Sequence, residues 1–328
     1  MRLESGTLRG VVSDLQSRIE LAFKKDVQLA ARAFGRETHS ANFASAQPIV
    51  NGDDAAALRD DGGYLLLAGE GMRAEFVAAD PWFAGFCGVM TNVNDIAAMG
   101  GRPWAIVDVL FLGSGENERV LQGLAAASRA FGVPVVGGHT TRVHGPSMLA
   151  VAVVGRARRL ISSGDARPGH VLLAAISLSG SFRGPGGNFN AATAAPSQAL
   201  RAQLSLLPEL AEAGLVAAGK DISMAGICGT ALMMLEASGA GARIDLERIP
   251  APAGVDALRW LTAFPSYGFV LAVEPRNVAA VCARFDAFGV ACSPIGEVDD
   301  SRALVLSAAD ERYVYWDLRE AALTGFGP

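Results

Sequence analysis

The segment Asn92-Val93-Asn94-Asp95-Ile96-Ala97-Ala98-Met99-Gly100-Gly101 places one carboxylate among small apolar residues, shortly before two glycines. A carboxylate in such a segment must be paired, used as a helix cap or bound to a metal to offset its desolvation. Asp95 is therefore a candidate metal ligand and catalytic residue, with a helix N-cap at Asn94 or Asp95 as the structural alternative. Asn92 and Asn94 are candidates for binding substrate, cofactor or metal-bound water.

A second acidic string, Asn51-Gly52-Asp53-Asp54, stands just before an alanine-rich strand candidate. Mg²⁺ takes oxygen ligands and keeps several waters, so one or two carboxylates with phosphate oxygens suffice to hold it. Asp53 and Asp54 are candidate metal ligands, and Asn51 and Gly52 are candidates for cofactor binding. The alternative is a solvated turn, because Asp favours turns by bonding its own backbone.

The third string, Gly137-Gly138-His139-Thr140, follows the strand candidate 133–136. We expect a tight turn here, whose backbone N–H groups would form an anion-binding nest. Gly137, Gly138 and Thr140 are candidate cofactor contacts. His139 is a candidate catalytic residue, with a structural role at the strand end as the alternative.

Three more residues complete the candidate set. Asp221 precedes a helix predicted at 226–238 and could complete a metal cluster across two domains, or merely cap that helix. Arg183 lies in the glycine-rich loop 179–190, which is either a lid over a nucleotide or a plain connector. Glu70 is a weaker candidate carboxylate at a strand end.

Composition limits the class of protein. The chain has 328 residues, 51% hydrophobic and 19% charged, with a net charge of −5, which fits a compact α/β or α+β layered protein of about two domains. No Lys/Arg run is interleaved with aromatic residues, so nucleic acid is not an expected partner. The sequence shows neither a membrane-length apolar stretch nor a signal peptide, and we expect a cytoplasmic location.

The hydrophobic pattern predicts the order of elements. Val11, Leu15, Ile19, Phe23 and Val27 form one apolar stripe, which predicts a single helix over about 9–34 that ends at Gly35. Strands are expected at 64–68, 105–112, 133–136 and 148–154, and helices at 81–99 and 116–131. We expect an N-terminal helical segment at 1–40 and two domains at 41–160 and 161–328.

Taken in order, the strings resemble the AIR synthetase (PurM-like) superfamily, which includes thiamine-monophosphate kinase, selenophosphate synthetase and HypE-type hydrogenase maturation proteins. The four matching segments are Gly52–Ala56, Asn94–Pro103, Gly137–Thr140 and Asp221–Ser223. The resemblance implies two α/β domains, the N-terminal one contributing to a β-barrel across a homodimer, with ATP and Mg²⁺ bound. It also implies that Asp53, Asp95 and Asp221 are metal ligands, with Asp54 as a helper.

The chain also departs from each of these relatives. It has no cysteine before Cys87 to serve as a selenophosphate-synthetase thiol, and no C-terminal cysteine of the HypE type. Gly137-Gly138-His139-Thr140 and Ser223-Met224-Ala225 lack two carboxylates expected of thiamine-monophosphate kinase. The hypothesis is an enzyme that transfers the γ-phosphoryl group of ATP to an oxygen of a small metabolite. The alternatives are a thiamine-monophosphate-kinase-like kinase and a non-catalytic nucleotide-binding regulator.

Overall fold

The computed structural model describes residues 7–38, 49–184, 186–265 and 267–328. The helices are α1 (Leu8–Ser17), α2 (Ile19–Lys25), α3 (Gln28–Phe34), α4 (Ala74–Ala79), α5 (Pro81–Ala98), α6 (Asn117–Phe131), α7 (Ser197–Glu212), α8 (Gly226–Ser238), α9 (Ala257–Leu261) and α10 (Val278–Asp286). The strands are β1 (Glu37–Thr38), β2 (Ile49–Val50), β3 (Ala56–Asp60), β4 (Gly63–Met72), β5 (Arg102–Ser114), β6 (Val135–Pro146), β7 (Met148–Ala157), β8 (Val171–Ile176), β9 (Ser181–Phe182), β10 (Phe189–Asn190), β11 (Ala218–Asp221), β12 (Gly241–Asp245), β13 (Gly268–Val273), β14 (Ala291–Asp299), β15 (Ala303–Ala308) and β16 (Glu311–Asp317). Within these ranges, no helix has the length and apolar character needed to cross a membrane.

The chain forms two compact units, each with its own core. The five-stranded unit comprises Asp54–Leu160 and Ala192–Glu209. The seven-stranded unit comprises the described residues up to Asp53 together with Ile161–Ala191 and Leu210–Pro328. The N-terminal helices therefore belong to the same unit as the C-terminal half of the chain.

The five-stranded unit is built on one open sheet of order β3-β4-β7-β5-β6. Only β5 and β6 run parallel among these neighbours. Alternating residues such as Leu66, Ile106 and Val153 enter the core that α5 and α6 cover. The opposite face exposes Leu67 and Val107. The sheet keeps both edges, β3 and β6, so the described residues of this chain do not form a closed barrel by themselves.

Helices α5 and α6 pack unusually close because glycines face each other's backbones. A Cβ at Gly123 would overlap the carbonyl oxygen of Trp82, and one at Gly85 would overlap that of Val120. Most of α5 is buried, so its sequence is apolar nearly all round instead of amphipathic. This packing fixes the helix that carries Asp95.

The seven-stranded unit has the order β11-β13-β8-β14-β12-β15-β16, in which β12 and β15 pair in parallel. Its core face contains Leu172, Ala242, Ile244 and Leu304, which pack with the buried helix α8. Helix α10 lies against β14 and β8. The other pairs of neighbouring strands are antiparallel.

The prediction of one N-terminal helix was wrong. Arg18 is extended, with φ −65° and ψ 135°, and separates α1 from α2. The break changes the phase of the apolar face, so Leu8, Val12 and Leu15 are buried while Ile19 is 60% exposed. The predicted end is confirmed, because Gly35 follows α3 with φ 71°.

Candidate functional site

Asp54 and Asp95 lie together in the five-stranded unit. Asp54 is half-buried in the loop before β3, and Asp95 is 6% exposed in the last turn of α5. A carboxylate oxygen of each lies within 4.8 Å of the other. The N-cap alternative for Asp95 is wrong, because α5 begins at Pro81 and is capped by Asp80, which accepts from the Phe83 N–H at 3.2 Å.

The two asparagines before Asp95 bond to their own helix. Asn92 Nδ2 donates to the Gly88 carbonyl at 2.7 Å, and Asn94 Nδ2 donates to the Met90 carbonyl at 2.9 Å. Asn92 Oδ1 is fully buried and has no hydrogen-bond partner among the described residues. The i,i+3 spacing places Asn92 on the same side of α5 as Asp95, so this side of the helix carries a carboxylate and an unsatisfied amide oxygen.

Asp53 is held by two serines of its own unit. Ser162 Oγ donates to Asp53 Oδ2 at 2.7 Å, and Ser163 Oγ donates to Oδ1 at 2.6 Å. The Ser163 N–H adds a further bond to Oδ2 at 3.0 Å. Asp53 and Asp54 are adjacent candidate metal ligands in the sequence, whereas in the structure their side chains have different surroundings.

The other two residues of the first string also make structural contacts. Asn51 Nδ2 donates to the Gly35 carbonyl at 2.9 Å and to Thr38 Oγ1 at 3.0 Å. Gly52 has φ 97° and lies directly against the ring of Phe326, where a Cβ would overlap the ring. Gly52 therefore combines a left-handed backbone with a close approach to the C-terminal segment. Their predicted cofactor contacts stay predictions.

The predicted turn at the third string was wrong, because Gly137, Gly138, His139 and Thr140 lie inside strand β6. Neither glycine has a positive φ. The strand continues because β6 pairs in parallel with β5 along this whole stretch, which keeps the backbone extended instead of turning.

His139 is also separate from the aspartate pair. It is exposed and lies opposite Val109, on the open face of the sheet. Helix α5, which carries Asp95, covers the other face. Strand β6 is at the far edge from β3, four strand spacings away, or about 19 Å along the sheet. Within one chain the structure does not bring His139 to Asp54 and Asp95.

Sequence reasoning missed Asp108. It lies in the middle of β5 beside Gly138, on the helix-covered face that also contains Val151. Burial raises the pKa of Asp108 above its usual range. A Cβ at Gly138 would lie 2.6 Å from Asp108 Oδ1, so the glycine makes room for the carboxylate. The available signal was a lone acid in the apolar run Ile106-Val107-Asp108-Val109-Leu110.

Asp221 belongs to the seven-stranded unit, where it is the last residue of β11 and 4% exposed. The capping alternative is wrong, because α8 starts at Gly226 and its N-cap is Ala225, with no side-chain cap. Nearby, the Ser223 N–H donates to Thr230 Oγ1 at 3.2 Å. A buried carboxylate at a strand end is a suitable ligand position, and its metal role stays a prediction.

The described residues of the glycine-rich loop include a short antiparallel strand pair, and the lid and connector alternatives for the loop stay open. The pair consists of β9 and β10, and the Arg183 N–H donates to the Asn188 carbonyl at 2.7 Å. Arg259 Nη2 donates to the Gly184 carbonyl at 2.7 Å, and its guanidinium lies 4.0 Å from the ring centroid of Phe182. The predicted contact of Arg183 with cofactor stays a prediction.

Two sequence families account for most of the chain. Residues 52–157 match the N-terminal domain of AIR synthase related proteins, and residues 168–308 match their C-terminal domain. The chain belongs to this family. The resemblance seen in the four strings is thus confirmed, and so is the mixed α/β two-domain PurM-like fold.

Similar proteins agree with this assignment. The uncharacterized protein sll0787 of Synechocystis sp. is 44% identical over 322 residues, covering 97% of this chain and 98% of that protein. The structure of T. maritima PurL complexed with ADP has a TM-score of 0.72 at 18% identity, and covers 90% of this chain. The structure of AaThiL complexed with AMPPCP and TMP has a TM-score of 0.61 at 19% identity, covering 81% of this chain and 91% of AaThiL. This chain spans about half of T. maritima PurL, 50% of that chain being matched.

Proposed function

We propose that this AIR synthase related protein is a Mg²⁺-dependent enzyme that transfers the γ-phosphoryl group of ATP to an oxygen of a small metabolite. The observation that carries the proposal is the approach of the Asp54 and Asp95 carboxylates to within 4.8 Å of each other. Two like charges so close, one of them buried, repel each other, and a bound cation lowers that repulsion. A divalent cation satisfies both carboxylates at once.

The residues fit Mg²⁺ in their chemistry. Asp54 and Asp95 offer hard oxygen ligands, and the buried, unpartnered Asn92 Oδ1 on the same side of α5 offers a polar acceptor to a metal-bound water. The sequence resemblance adds Asp221 as a further ligand. Since three donors already face the Asp53 carboxylate, we assign Asp53 to holding its loop and Asp54 to the metal.

The nucleotide part of the proposal is supported by ligands bound to structural neighbours. T. maritima PurL has been solved with ADP, and AaThiL with AMPPCP and TMP. In phosphoryl transfer the protein contributes mainly positioning and charge neutralisation, so a carboxylate-held cation is the central requirement. When bound, Mg²⁺ would neutralise phosphate charge, while Asp54 and Asp95 would hold and orient it.

We further propose that the functional unit is a homodimer. The open face of the five-stranded sheet exposes Leu67, Val107 and Met148, and its edges β3 and β6 are unpaired within the described chain. A second copy covering this face would bury that apolar area, as the family resemblance implies. Sedimentation of the wild type and of Val107→Asp tests this: we expect a dimer and a monomer respectively, and a monomeric wild type would contradict it.

The activity is tested by ADP release from Mg²⁺-ATP with candidate acceptors, thiamine monophosphate and formylglycinamidine-type compounds. We expect acceptor-dependent turnover that Asp95→Asn abolishes and Asp310→Asn, at an exposed turn, leaves unchanged. Stoichiometric ATP binding without ADP release would favour the regulatory protein. Full activity in Asp95→Asn would contradict the metal assignment.

A further inference from the structure

A cavity of about 500 Å³ lies in the seven-stranded unit, separate from every candidate residue above. Its charged lining comes from Arg243, Asp245, Arg248, Glu297 and Arg312. The lining also includes the apolar side chains of Val278 in α10, Pro275 and Pro294. The lining of the cavity thus combines charged and apolar side chains.

Strand register places four of these charged residues, all except Arg248, on one face of the sheet. Arg243 of β12 pairs with Glu297 of β14, and Glu297 pairs with Val171 of β8. One step along, Asp245 pairs with Ser307 of β15, and Ser307 pairs with Arg312 of β16. Paired residues point to the same face of a sheet, so the two rows form a continuous polar surface.

This surface is the face opposite the core. Ala242 and Ile244, which alternate with Arg243 and Asp245 along β12, are fully buried in the hydrophobic core. Arg243 and Arg312 are exposed, as is Arg248 just after β12. Three guanidinium groups therefore face the same concave volume on the solvent side.

None of these three guanidinium groups has a hydrogen bond or ion pair with any described residue, although Glu297 lies directly across the strands from Arg243. Other exposed arginines of the unit are paired, such as Arg276 with Glu274 at 2.7 Å and Arg319 with Asp317 at 2.5 Å. Three unpaired guanidinium groups in one cavity present donors in the planar geometry that suits phosphate oxygens.

We propose that this cavity binds a small phosphate ester of a polyhydroxylated compound. The phosphate binds among Arg243, Arg248 and Arg312, and hydroxyl groups donate to the carboxylates of Asp245 and Glu297. Three positive and two negative groups leave one excess positive charge for an anionic ligand. The volume of about 500 Å³ admits a molecule of the size of a pentose or hexose phosphate.

The test uses a matched pair of probes, ribose 5-phosphate and ribose, titrated into the full chain by calorimetry. We expect binding of ribose 5-phosphate only, weaker at higher salt because the arginines are exposed. In Arg243→Gln/Arg312→Gln the affinity should fall at least about tenfold, since each substitution removes charge-assisted hydrogen bonds. Arg319→Gln, which removes the same charge outside the cavity, should bind as the wild type does.

Two results with the wild type and the double variant would overturn the proposal, and a third with Asp95→Asn would do so as well. One is equal binding of ribose 5-phosphate by the wild type and by the folded double variant, checked by its unchanged melting temperature. The other is no binding of ribose 5-phosphate by the wild type. Because Asp95 does not line this cavity, Asp95→Asn should retain the binding. Loss of binding in Asp95→Asn alone would place the ligand at the nucleotide site and refute the cavity assignment.

Discussion

Asp53 and Ser163 are joined through both polar groups of the serine: its N–H lies 3.0 Å from Asp53 Oδ2, and its hydroxyl oxygen lies 2.6 Å from Oδ1. Ser163 is 1% exposed, so these bonds form in a largely dry environment. The carboxylate thus ties the string that begins at Asn51 to the start of the chain's second half. This relationship gives Asp53 surroundings that differ from those of its neighbour Asp54.

Asp53→Ala should therefore lower the stability of the protein. The substitution leaves the buried Ser163 donors without an acceptor, which we expect to lower the free energy of unfolding by about 1–3 kcal/mol. Urea denaturation measures it, with Asp310→Ala at an exposed turn as the control. A change no larger than that of the control would show that these hydrogen bonds contribute little.

Substitution of Glu236 should also lower the stability of the protein. Its carboxylate is 4% exposed and accepts from the Leu323 N–H at 2.9 Å, the Thr324 N–H at 2.8 Å and hydroxyl at 2.6 Å, and the Gly325 N–H at 3.0 Å. We expect Glu236→Ala to cost about 2–4 kcal/mol, because several donors around this buried side chain lose their acceptor. Amide hydrogen exchange should accelerate at 323–325. Unchanged protection there, relative to the exposed control Glu320→Ala, would be evidence against this anchoring role.

Gly123→Ala should destabilise the five-stranded unit. The added methyl group would overlap the Trp82 carbonyl, so α5 and α6 must separate, at a cost of about 1–3 kcal/mol. Gly10→Ala is the matched control, because Gly10 lies in α1 with nothing within 4 Å of the new Cβ, and it should stabilise by about 0.5–1 kcal/mol. Thermal unfolding of both variants measures the difference, and equal melting temperatures would contradict the close helix packing.

Asp108 should make stability depend on pH. Its pKa is raised in the folded protein by burial, so the ionised form is disfavoured in the folded state relative to the unfolded one. The ionised Asp108 carboxylate therefore lowers the free energy of unfolding. This effect is absent below the pKa of Asp108 in the unfolded chain, about 3.9, and grows as pH rises through its higher pKa in the folded protein. Asp108→Asn should therefore unfold at higher urea concentration than the wild type at pH 7, and lose that advantage toward pH 3.5. A variant less stable at pH 7 would show that the charged carboxylate is stabilising.

The sequence predicts well those elements whose apolar pattern is long and continuous. Helix α5 was expected at 81–99 and spans Pro81–Ala98, and α6 was expected at 116–131 and spans Asn117–Phe131. The N-terminal helix was wrong because one extended residue, Arg18, resets the helical phase without leaving a mark such as glycine or proline. Two adjacent glycines in the third string predict a turn, whereas parallel pairing with β5 keeps them extended.

Those residues of the candidate site that residue type and local sequence identify could be predicted. Asp54 lies two residues after a glycine and Asp95 within apolar sequence, and the structure places their carboxylates together. The different environment of Asp53 depends on Ser162 and Ser163, about 110 residues away in sequence. The local sequence around Asp53 does not predict that contact. His139 lies on the other face of the sheet for a similar reason, since strand register decides the direction of each side chain.

Calorimetric titration of ATP, with and without Mg²⁺, into the wild type and Asp95→Asn tests the central claim most directly. We expect the wild type to bind ATP only with Mg²⁺, and Asp95→Asn to lose at least about tenfold in affinity because one metal ligand is gone. Asp310→Asn should behave as the wild type does. Mg²⁺-dependent binding of equal strength in Asp95→Asn, or wild-type binding that does not depend on Mg²⁺, would contradict the assignment of Asp54 and Asp95 as the metal site.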